Sequence, residues 1–257
     1  MYKNIFSILV AVAILAFAGC SSSDNSTNPP VDGGSYFPIK TGSFWAYNST
    51  ETDPETNEIT PSRDSIIIKE QSTEEGKLAF KFENYIDGTY SDDTYQYTEN
   101  DQLFVLLQSI LPTGGTLPIP VDQIPNQWVK IADNNATKWD VFSLDLSNIP
   151  FDFGGLSLDM SGNLKVEGTK GDKVVVEVMG KEYTAQKYTI NSKINATANY
   201  QGLPISIGDV IIPTHYYYVQ GIGLVKTVTE STEISVLTFK FKTPESESIL
   251  VNYNVVK

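Results

Sequence analysis

The sequence predicts an all-β protein, built as a single strongly curved antiparallel sheet or half-open barrel, with a two-sheet β-sandwich as the competing arrangement. Composition is the first reason: 14 Tyr and 12 Phe stand among many Thr, Val and Ile, while Ala-, Leu- and Glu-rich helical stretches are scarce. Alternation is the second. From Tyr188 to Tyr200 the even positions read Tyr, Ile, Ser, Ile, Ala, Ala, Tyr and the odd ones Thr, Asn, Lys, Asn, Thr, Asn. That is the pattern of a long strand with one buried and one wet face. The third is turn chemistry, because VMGKEY at 178–183 sets Gly180 where a hairpin needs a positive φ. Long strands joined in sequence order favour a meandering, curved sheet, and one all-β unit can hold a chain of 257 residues.

The chain starts with MYKN, which carries one Lys, followed at 5–18 by the apolar run IFSILVAVAILAFA. This run is too short to span a bilayer comfortably, so residues 1–19 read as a signal peptide. The run stops at Cys20, the one cysteine of the sequence. Phe17-Ala18-Gly19-Cys20 resembles the lipobox of bacterial lipoproteins, in which small residues let a dedicated peptidase reach the bond before a lipidated cysteine. Phe17 departs from the Leu expected at the first position. An ordinary secretory signal with a chance Cys, or a buried free thiol, fits less well, because a lone exported Cys has no disulfide partner.

The resemblance implies that the Cys20 thiol receives a diacylglycerol and the freed amine a further acyl chain. Each buried methylene contributes roughly 0.8 kcal/mol and one chain alone binds marginally, so several chains make a stable membrane anchor. The implied location is the outer membrane, on its periplasmic side or at the cell surface. CSSSDN is also similar to the Ser/Asp-rich export tract of some Bacteroidota lipoproteins, with Asp24 its one acidic residue; both faces stay open. The Ser/Asn/Pro stretch that follows cannot bury enough apolar surface to fold. Residues 20–35 therefore form a lipidated tether reaching about 50 Å when extended, at roughly 3.3 Å per residue.

Residues 36–257 form the folded β domain. It opens at YFPIKTGSFWAYNST, residues 36–50, where Pro38 and Gly42 punctuate a turn into an aromatic strand. Further strands are expected at 63–70, 78–86, 93–98, 138–145, 157–168, 173–179, 188–200, 214–219, 223–230, 233–242 and 248–255. The Tyr-Phe-Pro…Gly…Trp-x-Tyr opening, taken with the late Gly-Ile-Gly-Leu-Val-Lys of YYYVQGIGLVKTVTE at 216–230, resembles a group of uncharacterised bacterial lipoproteins of Bacteroidota type. These in turn resemble the curved antiparallel half-barrels of periplasmic lipoprotein carriers. The resemblance covers about thirty residues at the two ends of the domain and implies fold more than activity.

Two apolar stretches break the strand pattern. ILPTGGTLPIPVDQIP at 110–125 holds four prolines and two glycines, which bars it from a central strand, and LSNIPFDFGGL at 146–156 is similar. Both are expected as apolar loops that either plug one end of the barrel or line a hydrophobic cavity. On the second reading Leu111, Leu117, Ile119, Ile124, Phe151 and Phe153 bind the ligand.

Chemistry is sparse. With 31 acidic against 18 basic residues, net −13, and no basic cluster, the chain would repel phosphate backbones, so no nucleic-acid partner is expected. His215 is the one histidine and no Gly-x-Ser-x-Gly elbow accompanies it; it reads as a sheet histidine with an ordinary hydrogen bond. Zinc would need an unusual all-carboxylate set. The oxygen-rich runs SDDT at 91–94 and DNN at 133–135 lack calcium-loop spacing and read as solvated turns. Trp45, Trp128 and Trp139 could stack on sugars but are more often packing residues. GIG at 221–223 lacks phosphate-loop spacing. Asp64-Ser65-Ile66 resembles a Bacteroidota O-glycosylation motif, with an ordinary strand start as the alternative.

The expectation is a non-enzymatic, lipid-anchored envelope protein with no cofactor and no metal. It binds a hydrophobic or amphipathic ligand, or a partner lipoprotein, in a concave β sheet. A surface scaffold or adhesion component without a small ligand, and a carbohydrate-binding module, are the alternatives.

Overall fold

A computed structural model describes residues 34–110, 124–153, 156–200, 203–236 and 239–257. The strands are β1 (Phe44–Thr52), β2 (Ile59–Glu74), β3 (Lys77–Ile86), β4 (Thr89–Glu99), β5 (Gln102–Leu106), β6 (Trp128–Asp133) and β7 (Lys138–Phe153). They continue as β8 (Leu156–Val178), β9 (Lys181–Tyr200), β10 (Leu203–Val219), β11 (Gly223–Thr229), β12 (Glu233–Val236), β13 (Phe239–Lys242) and β14 (Glu245–Asn254). A 3₁₀ turn at Leu107–Ile110 follows β5, and no α-helix occurs among the described residues.

Twelve strands make one antiparallel sheet in the order β6-β5-β4-β3-β2-β1-β14-β11-β10-β9-β8-β7, while β12 and β13 pair separately. One continuous sheet rules out the sandwich. The order is an up-and-down meander whose first and last strands, β1 and β14, pair in its middle. Its two edges are β6 and β7, neighbours in the chain, and curvature brings them back together. Trp139 Nε1 of β7 donates to Lys130 O of β6 at 2.8 Å, and Lys170 Nζ of β8 donates to Asn134 O in the β6–β7 link at 2.7 Å. No ladder joins the two strands among the described residues. The result is a barrel that is nearly closed, with one unsealed seam.

Local pattern explains most elements. In β9 the even residues Tyr188, Ile190, Ser192, Ala196 and Ala198 are buried, as alternation requires. β11 alternates without a break from Gly223 to Thr229. Met179 and Gly180 both take positive φ, 52° and 69°, as a two-residue type I′ turn between β8 and β9 demands.

The structure departs from the expected elements in several places. β5 and β6 were not anticipated; QLFVL is a short apolar run with no alternation to mark it. The expected strands 157–168 and 173–179 are one 23-residue strand, β8, with a register shift between Lys170 and Lys173. β10 begins at Leu203, not near 214, and tolerates Pro204 and Pro213 because its pairing with β11 starts only at Thr214. A register shift at Gly208, with φ of 77°, absorbs its third irregular residue. The expected strand 233–242 is a hairpin of two four-residue strands. The stretch 146–156 is not a loop: β7 runs to Phe153 and β8 starts at Leu156. β7 is the last strand in the sheet order, where Pro150 removes no ladder bond on its outer side, and a register shift between Leu146 and Ile149 accommodates Asn148 at φ 50°. Of the other proline-rich stretch, residues 111–123 lie outside the described residues.

The inward faces form two adjoining apolar clusters. One gathers Leu103, Val129, Trp139, Val166, Tyr188 and Tyr218; the other Trp45, Tyr47, Ile68, Phe82, Val225 and Leu250. Fully burying each such aliphatic or aromatic side chain stabilises the fold by roughly 1.5–3 kcal/mol before conformational entropy is counted.

Candidate functional site

Where the two clusters meet, the lumen keeps a cavity of about 50 Å³. Its lining comes from strands far apart in the chain. Trp45 and Tyr47 of β1, Ile66 of β2, Phe82 of β3 and Gln96 of β4 meet Tyr218 of β10 and Leu224 of β11 there. Residues 37–39, ahead of β1, complete the wall together with Leu103 of β5, Ile131 of β6 and Gly223. Two polar atoms in this wall are already committed: Trp45 Nε1 donates to Ile222 O at 2.6 Å and Tyr47 Oη to Leu224 O at 3.0 Å. These bonds tie the N-terminal strand to the β10–β11 turn. Burial pushes the Tyr47, Tyr216 and Tyr218 hydroxyls well above the usual tyrosine range, so they stay neutral.

The N-terminal segment enters this lumen directly. Phe37 is 4% exposed, its ring edge-on to Tyr218 at 5.1 Å and tilted against Tyr188 at 6.0 Å. Tyr188 in turn donates to Asn134 Oδ1 at 2.6 Å, in the link between β6 and β7. Gly223 is needed at the turn, since its φ is 98° and a Cβ there would stand 3.4 Å from the Pro38 ring and from Trp45 Nε1. One step further along β1 to β4 the buried residues turn polar. Ser49 Oγ donates to Ser248 Oγ at 2.7 Å, Ser62 Oγ to Asp64 Oδ1 at 2.7 Å, and Asn84 Nδ2 to Asp92.

Leu111, Leu117 and Ile119 lie outside the described residues, as does Cys20. Ile124 is buried in the same cluster as Phe37 and its carbonyl accepts from Gln108 Nε2 at 2.9 Å. Phe151 and Phe153 stand at the far end of β7, in register with Leu158 and Leu156. Phe37, Pro38 and Ile39 were missed as lining residues. Their signal is the apolar YFPI directly after a Ser/Asn/Pro-rich stretch, which by sequence alone reads only as the turn into β1.

The other candidates resolve into packing and pinning. All three tryptophans donate Nε1 to backbone carbonyls, Trp128 to Glu74 O at 3.2 Å, and burial of the Trp45 and Trp139 rings removes those two as sugar platforms. His215 joins Thr189 Oγ1 at 2.9 Å on Nδ1 and Glu230 Oε1 at 2.7 Å on Nε2. This has the connectivity of a nucleophile–base–acid line. However, Thr189 sits in mid-strand, paired on both sides, where amides are committed to the ladder and not aimed at a reacting oxygen.

The run 91–94 lies inside β4 and is not a turn, with Asp93 bridged to Lys81 at 2.9 Å. Asp133 is buried, not solvated. It accepts from Asn135 N at 2.8 Å and Ala136 N at 3.2 Å and pairs with Lys130. Burial works against its charge, but Lys130 and the two amides outweigh that and hold its carboxyl below the usual range. Ser65 is buried inside β2, away from a strand start. No three His, Cys, Asp or Glu side chains among the described residues group as a metal site.

On the outer face Glu167 gathers three ammonium groups, Lys193, Lys138 at 3.0 Å and Lys165 at 3.1 Å, from β9, β7 and β8. Lys193, then Lys138 and Lys165, pull its carboxyl down to about 2. Each cation comes from a different strand, so the carboxylate pins three strands beside the seam.

No family model and no curated protein sequence matches the chain. Two solved structures are similar to it. A "putative lipoprotein" from Parabacteroides distasonis is 14% identical with a TM-score of 0.39, over 87% of this chain and 100% of the other. A "putative exported protein with YmcC-like fold" from Bacteroides fragilis is 11% identical with a TM-score of 0.41, over 86% and 99%.

Proposed function

We propose that this chain is a non-enzymatic protein of the bacterial outer membrane, held by acylated Cys20, whose concave sheet binds a hydrophobic or amphipathic ligand. The observation that carries the reading is the lumen. An apolar, aromatic-walled cavity persists inside an almost closed sheet, and part of its wall is a segment that no strand ladder holds. A lipobox-like Phe17-Ala18-Gly19-Cys20 followed by a Ser/Asn/Pro-rich sequence supports the anchor. The partner need not be a free lipid, because a lipoprotein's acyl group presents the same chemistry.

The anchor is tested by detergent phase partitioning: the parent chain should enter the detergent phase and Cys20→Ser the aqueous phase. Equal partitioning of the two would remove the anchor. For the ligand, native mass spectrometry of the full Cys20→Ser chain, before and after delipidation, should show an extra mass that delipidation removes. A second reading, a scaffold with no small ligand, is favoured by the size of the void. At about 50 Å³ it is roughly a third of the engineered cavity of about 150 Å³ that accepts benzene. A clean apo mass in both samples would favour that scaffold.

A further inference from the structure

At about 50 Å³ the cavity is too small for a benzene-sized group unless something leaves. We infer that the lumen is a binding site for one aromatic-sized apolar group carrying a hydrogen-bonding substituent, and that Phe37 occupies this site when no ligand is bound. The inference rests on the ligand-binding reading above and specifies its site.

Three observations converge on Phe37. Its ring abuts the void, which Phe37, Pro38 and Ile39 help to wall. The ring sits against Tyr188 and Tyr218 as a guest ring would, one contact edge-on and one tilted. Removing a phenyl ring from beside a void of about 50 Å³ brings the space toward the volume that takes up a benzene-sized molecule. Gln96 in the lining supplies an amide that can donate or accept, which suits an aromatic ring with a hydroxyl better than a bare acyl chain.

The attachment of the segment suits displacement. Among the described residues, its backbone ties ahead of Lys40 reduce to Gly221 N donating to Ser35 O at 2.8 Å, with a local turn from Phe37 N to Ser35 Oγ at 3.0 Å. The woven chain starts beyond it, where Ser43 N donates to Lys40 O and Gly42 N to Ile68 O. Phe37 can therefore leave without unzipping a strand. A ligand entering the lumen would therefore release residues 34–39 from the sheet. A protein whose competent state is only partly populated binds with an affinity reduced by that fraction, and deleting the internal competitor restores it.

The test uses the full chain with Cys20→Ser as parent, phenol as the probe, and Phe37→Ala and Phe37→Leu as variants. Phenol binding is followed by calorimetry and the exchange of backbone amides by mass spectrometry. Phenol should bind Phe37→Ala at least about tenfold tighter than the parent. In the parent, saturating phenol should raise deuterium uptake at residues 34–40. Equal affinity in parent and folded variant, no binding by either, or binding to the parent with unchanged uptake at 34–40 would each overturn the inference. If Phe37→Ala does not fold, the same comparison on Phe37→Leu decides. An extra mass that co-purifies with the parent, with residues 34–40 still protected, would sink the Phe37 site and leave the ligand reading standing. Phenol binding by Phe37→Ala with no co-purifying mass would keep the site and remove the natural-ligand reading.

Discussion

Gly168 lies in β8 directly opposite Trp139 of β7, and the indole ring covers the space a side chain would need. A Cβ built at Gly168 would stand 2.0 Å from Trp139 Cε2 and 2.3 Å from its Cζ2 and Nε1. Carbon atoms in contact sit about 3.5–4.0 Å apart, so in Gly168→Ala the ring must retreat by about 1.5 Å. Overpacking of this kind costs about 1–3 kcal/mol. The retreat also breaks the Trp139 Nε1 bond to Lys130 O, one of the ties across the seam, and a net hydrogen bond is worth about 1 kcal/mol. The expected loss is therefore about 2–4 kcal/mol, the sum of those two effects. Gly171 in the same strand is the control: its Cβ would meet Lys187 at an ordinary 3.6 Å, and its φ is not in the left-handed region. Gly171→Ala should be neutral or stabilise by up to about 1 kcal/mol through the unfolded chain. Urea unfolding followed by tryptophan fluorescence measures both variants. A Gly168→Ala midpoint equal to that of the parent, or an equal loss in Gly171→Ala, would refute the account of the seam.

Glu167 makes stability depend on acid. Its folded carboxyl is depressed from 4.5 to about 2, so its contribution is complete above about 4.5 and is lost as pH falls from there through 2. Melting temperatures between pH 7 and pH 2 should show Glu167→Gln less stable at neutral pH and flatter across that acidic window. Parallel curves for the two proteins would count against the three-lysine pin. Tyr188→Phe keeps the ring that packs on Phe37 but deletes the 2.6 Å bond to Asn134 Oδ1. It should cost about 0.5–1.5 kcal/mol in the same urea assay, and a loss of several kcal/mol would mean the hydroxyl has a larger role than closing the β6–β7 link.

Much of the fold was legible because its signals are local. Alternation across 188–200 and the Gly180 turn each depend on neighbours a few residues away, and both are seen in β9 and in the β8–β9 hairpin. Irregular strands were harder to read. β10 carries Pro204, Gly208 and Pro213, and β7 carries Pro150; each looks like a loop to a reader who assumes a partner on both sides. Only the sheet order shows which side of those strands is free.

The candidate site was much less legible. Phe37 touches Tyr188 and Tyr218, more than 150 positions away, and no local pattern encodes that meeting. The short apolar sequence YFPI marks where a chain enters a core but not which residues receive it.

By itself, then, the sequence determined the β class, the long alternating strands, the hairpin turn at Gly180 and the lipobox-like motif at Cys20, because backbone periodicity, turn geometry and a contiguous motif are written in adjacent residues. Tertiary structure alone decided that β1 closes onto β14, that the seam falls between β6 and β7, and that Phe37 packs against Tyr188 and Tyr218. Those outcomes depend on how the twist of twelve strands accumulates until distant side chains compete for one interior volume.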